Sequence, residues 1–317
     1  MSQFDVVLAG EFNLDLVLYG LPETLPPERE LLASDMVLLL GGSPAITAHN
    51  LARLGSRVGL ITAKANDLLA GFCVRELEEA GVDLSRAIDA PASVRTGATV
   101  LLQHESFRRS FTYAGSTACL RFDDLDLDYL RSARHFHLSS FFLQRGLIDD
   151  VPRLFALMKE AGLSTSLDTN DGPTGTWAGP IAETLRYVDI LMPNEREAKG
   201  LAGEESLERA IERLSGLVAM VVVKRGALGA LVAGSGKLMQ QAAVTVQPVD
   251  AVGAGDSFNA GFLHGYLNGW PLERCLQVGN LAGAWSTTQI GGTSAFQNRQ
   301  LMEEFFDAYA PGLYGHA

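Results

Sequence analysis

Short runs of apolar, often β-branched residues alternate along this chain with segments whose apolar residues recur every three or four positions. The runs at 4–9, 58–62, 135–139, 163–168, 188–192 and 219–224 predict strands, and the stretches 44–54, 68–80, 148–161 and 181–187 predict helices. Strand–helix alternation of this kind predicts an α/β domain: a mainly parallel sheet with helices on both faces, whose ligands sit at the carboxyl ends of the strands.

Two segments break the alternation. Residues 15–40 hold Pro22, Pro26 and Pro27 and then the apolar run 36–40, without a complete helical pattern. Residues 95–113 read as two strands, 97–103 and 109–113, joined at 104–107. Both are expected to form β structure outside the main sheet, together making one small lid on a single domain that spans 1–317. After Gly226 the chain is expected to turn antiparallel, with strands at 227–233 and 238–246 around a turn at Gly234-Ser235-Gly236. From Ala254 onward it is helical, with breaks near Trp270-Pro271 and Gly291-Gly292.

Composition narrows the function. A formal net charge of −12 argues against a general nucleic-acid binder, which needs a basic face, but leaves room for a local pocket for one nucleotide. Cys73, Cys119 and Cys275 are widely spaced and form neither a disulfide framework nor a zinc pattern. The beginning of the chain lacks the basic and apolar regions of a signal peptide, and no apolar stretch approaches the roughly 20 residues of a membrane span. The expectation is a cytoplasmic protein without membrane partners.

The most informative stretch is Asp250-Ala251-Val252-Gly253-Ala254-Gly255-Asp256-Ser257-Phe258. Phe258, Phe262 and Tyr266 follow at helical spacing, so Gly-Ala-Gly stands at a helix N-terminus, where free N–H groups and the dipole suit an anion. Asp256 falls in the first turn, a place equally natural for a capping acid. Gly236-Lys237 is not a Walker loop, because Leu231 stands at the first glycine position and Leu238 at the Ser/Thr position. Gly253 and Gly255 do not open a dinucleotide fingerprint, because Phe258 occupies the third glycine position. A second glycine pair, Gly41-Gly42, followed by Ser43-Pro44, opens the helix that ends at Leu54-Gly55.

With these motifs in place the chain resembles the ribokinase-like, or PfkB-type, carbohydrate kinases over nearly its whole length. The resemblance rests on Gly41-Gly42 through Leu54-Gly55, Asn194-Glu195-Arg196-Glu197, Lys224-Arg225-Gly226 with Gly229, and Asp250 through Phe258, in the family's order. It implies the ribokinase-like fold and transfer of a phosphoryl group from ATP, with Mg²⁺, to a hydroxyl of a monosaccharide or sugar derivative. Gly253, Ala254 and Gly255 would form the anion hole, and Asp256 would take the hydroxyl proton. Asn194 and Glu197 would organise Mg²⁺ through water. Lys224, Gly226, Gly229 and Asn280 would flank ATP. Asp250 and the loop at Gly291 would hold K⁺, although Ala251 replaces the motif's usual Thr. Asn13, Asp15, Gly41, Gly42 and Ser43 would meet the sugar.

Two departures bear on the acceptor. Ile46 stands where many members have a sugar-binding Asn, and Gly172, after Asp168-Thr169-Asn170-Asp171, stands where sugar-acid kinases often have Arg. The loss of that amide and that guanidinium argues against ribose or a sugar acid as the acceptor. A nucleoside kinase of the same fold, which shares the catalytic motif, and a non-catalytic sugar sensor are the alternatives. In the family the chain resembles, a β lid with exposed edges often pairs with a second copy, which the resemblance extends to this lid. His135, His137, Trp177 and Trp285 read as packing residues, and Arg108-Arg109 as a solvated pair within reach of a substrate anion.

Overall fold

The computed structural model describes residues 2–104, 108–170, 177–234 and 236–312. Strands β1 (Phe4–Ala9), β2 (Asn13–Tyr19) and β3 (Asp35–Gly41) lead into α1 (Ser43–Arg53), β4 (Val58–Ile61), β5 (Ala63–Lys64) and α2 (Leu68–Ala80). Then come β6 (Val82–Asp83), β7 (Ile88–Asp89), β8 (Ala98–Gln103), β9 (Arg108–Tyr113), α3 (Leu127–Arg131), β10 (Ala133–Leu138), α4 (Val151–Glu160) and β11 (Ser164–Leu167). The second half holds α5 (Ile181–Thr184), β12 (Ile190–Leu191), α6 (Glu195–Ala202), α7 (Leu207–Ser215), β13 (Met220–Lys224), β14 (Ala230–Gly234), β15 (Lys237–Gln241), α8 (Ala254–Leu267), α9 (Leu272–Ser286) and α10 (Arg299–Tyr309).

The large sheet runs β15-β14-β13-β12-β11-β10-β1-β4-β6, parallel from β13 to β6 and antiparallel at β14 and β15. Alternate residues feed two cores, as the period of a strand requires. Val6, Leu8, Leu60, Met192 and Val222 pack with α1, α2, α8, α9 and α10. Val7, Phe136, Leu138, Leu191 and Val223 pack with α3 to α7 on the other face.

Beneath α8 the sheet carries polar residues in place of apolar ones. A buried chain of contacts runs Ser139 Oγ–His137 Nε2 (2.8 Å), His137 Nδ1–Ser166 Oγ (2.6 Å), Ser166 Oγ–His135 Nε2 (2.6 Å) and His135 Nδ1–Ser164 Oγ (2.7 Å). The Ser166 hydroxyl has one proton, so it donates to one ring and accepts from the other, and both rings hold the same tautomer. Burial keeps both neutral, their pKa lowered to about 3. The expected packing role of these histidines is met by hydrogen bonds. Trp285 is also a core residue, its Nε1 donating to the Ala295 carbonyl; Trp177 is half-buried, edge-on to Phe142.

The segments at 15–40 and 95–113 meet in a four-stranded sheet ordered β3-β2-β8-β9. It starts at Asn13, two residues before the expected boundary, because β2 follows β1 after a short turn. The turn residues 105–107, Asp171, Gly172 and Ser235 lie outside the described residues. Two further expectations need correction. The strand expected at 238–246 ends at Gln241, because Asn280 Nδ2 holds the Gln241 and Ala242 carbonyls (3.1 and 3.2 Å) and directs the chain away from the sheet. The helix expected at 148–161 begins only at Val151, after a 3₁₀ turn at Ile148–Asp150; Pro152 in its first turn suits that start.

Cys73, Cys119 and Cys275 are free thiols. Among the described residues no helix is long and apolar enough to cross a membrane.

Candidate active site

A cavity of about 690 Å³ opens at the carboxyl ends of the central strands. The expected nucleotide-side residues Asn194, Glu197, Lys224, Gly226, Gly229 and Asn280 line it, as do Gly253, Ala254, Gly255 and Asp256. It also takes in 243–246 and Pro248, the stretch released from the sheet at Gln241.

Helix α8 delivers Asp256. Its N-cap, Gly253, has φ 72° and no side-chain cap; Ala254 N donates to the Ala251 carbonyl (3.3 Å), and the start of the helix lines the cavity. Only glycine fits at 253: the positive φ disfavours other residues, and a Cβ there would land on the Cα of Gly292. Ile46 does not present itself to a ligand. It is buried, its side chain facing Gly253 and Gly292 from behind. One turn later Asn50 Nδ2 donates to Ser257 Oγ and to the Gly292 carbonyl, both at 2.9 Å, tying α1 to the start of α8 and to the loop at Gly292. Asp250 does the same from outside, accepting from Val252 N (3.0 Å) and Gly291 N (2.9 Å).

Asp256 is half-buried, and desolvation of its carboxyl group is the largest cause raising its pKa to about 7; Asp168 and Glu11 add to this, while Ser43 and Lys224 oppose it. Ser43, expected on the sugar, instead spends its hydroxyl on Asp256 Oδ1. It sits at the first position of α1, directly after the N-cap Gly42, so two helix starts meet at this carboxylate. A carboxylate poised near neutrality beside a helix N-terminus can accept a proton while an anion is held next to it.

Lys224 lies under the same corner. Its ammonium contacts Asp168 Oδ2 at 2.6 Å and Asn259 Oδ1 at 3.3 Å, and Asn259 Nδ2 also donates to Asp168. Burial works against the charge of Lys224, but Asp168 and Glu197 more than offset it and raise its pKa. Asn194 and Glu197 form a capping box at the start of α6: Glu197 N donates to Asn194 Oδ1 (2.9 Å), and Asn194 N and Nδ2 donate to the Glu197 carboxylate (2.8 and 2.6 Å). Burial first, then Asp168, raises the pKa of Glu197. Asp168 Oδ1 is buried without a hydrogen-bond partner among the described residues. Two acids facing one cavity, one with an orphaned oxygen, fit a hydrated divalent cation.

On the other side of Asp256 lies the small sheet. Asp15 accepts from Asn13 Nδ2 at 2.7 Å and stands level with Thr99 and Leu39 in the register. A Cβ on Gly41 would strike the Asp15 carboxyl group. Burial is the main cause lifting the Asp15 pKa to about 6, against hydrogen bonds from Asn13 and Thr99. The expected sugar residues Asn13, Asp15, Gly41 and Gly42 are thus brought together, with Ser43 linking them to Asp256.

Sequence reasoning assigned no role to Glu11, Asn50, Asn259 or the 243–248 stretch, and treated Asp168 and Asn170 only as markers of acceptor type. Glu11 directly follows the apolar run of β1, and an acid at the carboxyl end of a buried parallel strand is the signal that could have revealed it. It is buried, accepts from Gln144 Nε2, and has its pKa raised to about 7 by that burial. Asn170 (φ 53°) donates to the hydroxyl of Ser140 (φ 56°) at 3.0 Å, so two non-glycine residues hold left-handed backbone beside the cavity.

The fold and this site define a carbohydrate kinase. The chain belongs to the pfkB family of carbohydrate kinases, whose pattern matches residues 3–299. It is 28% identical to a 2-dehydro-3-deoxygluconokinase of Bacillus subtilis, over 85% of this chain and 87% of that protein. It is 30% identical to an ATP-dependent ribose-1-phosphate kinase of Halopiger xanaduensis, over 92% of this chain and 94% of that protein. Arabidopsis thaliana ribokinase, solved with ribose and ATP, superposes with a TM-score of 0.82 at 25% identity, covering 96% of this chain and 99% of that one. The fold is therefore the ribokinase-like one expected.

Asp256→Asn keeps shape and helix capping but cannot take a proton, so kcat should fall about 10²–10⁴-fold with the thermal midpoint nearly unchanged. In the unmodified enzyme kcat/KM should rise with pH through about 7, as the Asp256 carboxyl group ionises, and this limb should vanish in the variant. Near-normal turnover of a folded Asp256→Asn protein would leave Asp256 a capping acid.

Proposed function

We propose that this enzyme transfers the γ-phosphoryl group of ATP to a hydroxyl of a monosaccharide or sugar derivative, with Asp256 as general base. The observation that carries this reading is the position of Asp256: it ends the large cavity on one side and is held through Ser43 by the element carrying Gly41, Gly42 and β3 on the other. ATP occupies the cavity, its adenine toward Asn280 and 243–246 and its phosphates toward Gly226, Lys224 and the start of α8. Asn194 and Glu197, with Asp168 beside them, hold Mg²⁺ through its waters; when bound, the ion neutralises charge on the phosphates. The acceptor oxygen forms a bond to the γ-phosphorus, the bond to the β-phosphate oxygen breaks, and the proton of the acceptor passes to Asp256. The N–H groups of 254–256 and Lys224 stabilise the charge spread over the transferred group.

Asp15, Asn13 and the Gly41-Gly42 backbone bind the acceptor, and the small sheet closes over it as a lid. The relatives are named for a deoxy sugar acid and a sugar phosphate, and for ribose; what they share is a carbohydrate hydroxyl. ADP release with a panel of sugars and nucleosides tests the acceptor class, and nucleosides as the sole acceptors would favour the nucleoside kinase alternative. Asp15→Ala should raise the acceptor KM by about 2–4 kcal/mol, roughly 30- to 1,000-fold, while the ATP KM holds. A change within about twofold would place the acceptor elsewhere.

We infer a K⁺ site between Asp250 and the Gly291 loop. Both Asp250 oxygens already accept backbone N–H groups, and each keeps a further lone pair, so a cation there would brace the anion hole from outside. Rates in K⁺ should exceed those in a large organic cation severalfold; equal rates remove the site.

The lid's outer face supports pairing with a second copy. Leu38, Leu16, Val100 and Phe111 form one cross-strand row on that face, with Phe111 56% exposed. Light scattering should give a dimer for the natural chain and a monomer for Phe111→Glu; a monomeric natural chain at micromolar concentration overturns the pairing.

A further inference from the structure

The face of the small sheet that carries Asp15 is divided along its width. On β2 and β3 it is apolar: Val17 and Leu39 are buried together with Leu101, and Ile290 packs against them. Toward the free edge it is polar. Thr99 pairs with Thr112, Leu101 with Ser110 and Gln103 with Arg108. Since side chains alternate along a strand, Thr112, Ser110 and Arg108 project on the Asp15 face, whereas Arg109 projects on the opposite one. Arg109 is spent there on the Glu23 carbonyl (3.3 Å).

Arg108 has no such outlet. It makes no hydrogen bond or ion pair with any described residue, yet its charge acts on Asp15, where it opposes the effect of burial. It lies four residues from Thr112 along β9, about 13 Å by the rise of a strand, at the far end of the face that carries Asp15. On the same face Asp250 acts on Asp15 and Tyr19, and Asp35 acts on Tyr19. The buried ammonium at the transfer end, Lys224, is already paired with Asp168. Arg108 is thus an exposed cation with no counter-ion among the described residues, on the face of the small sheet that carries Asp15.

We propose that the acceptor is itself an anion, a sugar bearing a phosphate ester or a carboxylate at the end remote from the hydroxyl that is phosphorylated, and that Arg108 binds that group. This rests on the kinase reading above and adds the acceptor's charge to it. A neutral sugar satisfies Asn13 and Asp15 but leaves Arg108 idle. An anionic one needs a cation close by, because Asp15 and Asp250 would otherwise repel it. Guanidinium suits phosphate and carboxylate alike, through paired N–H donors.

The test compares ADP release from ATP with pentoses and hexoses supplied in three forms: the free sugar, its monophosphate and the corresponding sugar acid. The natural enzyme should show its highest kcat/KM with a phosphate or an acid, and which of the two it prefers identifies the anion. Arg108→Gln should lower kcat/KM for that acceptor about 10- to 100-fold through KM, leaving kcat, the ATP KM and the thermal midpoint near their original values. Arg108→Lys should recover part of the loss, and rates with neutral sugars should be unchanged in both variants. Preference for a neutral sugar, or an equal effect of Arg108→Gln on neutral and anionic acceptors, overturns the proposal while leaving the kinase reading intact. Absence of turnover with every acceptor defeats both.

Discussion

The site is organised by an excess of buried carboxylates over buried cations. Asp256, Asp168, Glu197 and Glu11 gather at the carboxyl ends of the central strands around the single ammonium of Lys224. Inside a protein each added negative charge makes the next harder to ionise, and the raised pKa values of Asp256 and Glu197 express that crowding together with burial, whereas Glu11 is raised by its burial. Burial first, with that crowding added, brings the Asp256 carboxyl group near neutral pH. It also makes Lys224 indispensable as architecture: removing one partner of a buried pair costs about 3–5 kcal/mol, and here the abandoned partner would be Asp168, at the centre of the cluster.

Rigid supports hold these charges in place. Asp256 is fixed by the buried helix α8 and by Ser43. Glu197 is fixed by its reciprocal bonds with Asn194, and Asp168 by Asn259 and Lys224. The Gly291-Gly292 loop beside the start of α8 is stapled by Asn50 on one side and Asp250 on the other. Phosphoryl transfer asks for positioned charge more than for covalent chemistry, and this arrangement places rigidity where that requirement falls.

Much of this was legible in the sequence because it is local. Gly253 through Asp256 had to open a helix, the Asn194–Glu197 spacing is a helix cap, and the apolar runs of a parallel sheet stand out along the chain. What escaped notice depends on contacts between distant segments. Asn50 meets Gly292 across 242 positions and Asn259 meets Asp168 across 91, and no periodicity announces such pairs. Ser43 was placed beside the sugar because its motif is adjacent to Gly41-Gly42; only the approach of α8 shows that its hydroxyl is taken by Asp256. The strand expected to reach Val246 was misjudged for a related reason: its pattern favours a strand, but one side-chain amide on α9 captures the backbone and turns it toward the cavity.

The small sheet joins two strands of different standing. β3 runs without a linker through Gly42 into α1 and so to Asp256; any change of its course is felt at the base. β9 is the free edge, bonded only to β8. Residues on that edge are free to diverge without disturbing the reaction centre. The fold thereby separates what must stay constant from what can be rewritten, and a designer seeking a new acceptor for this enzyme would begin by exchanging that one strand.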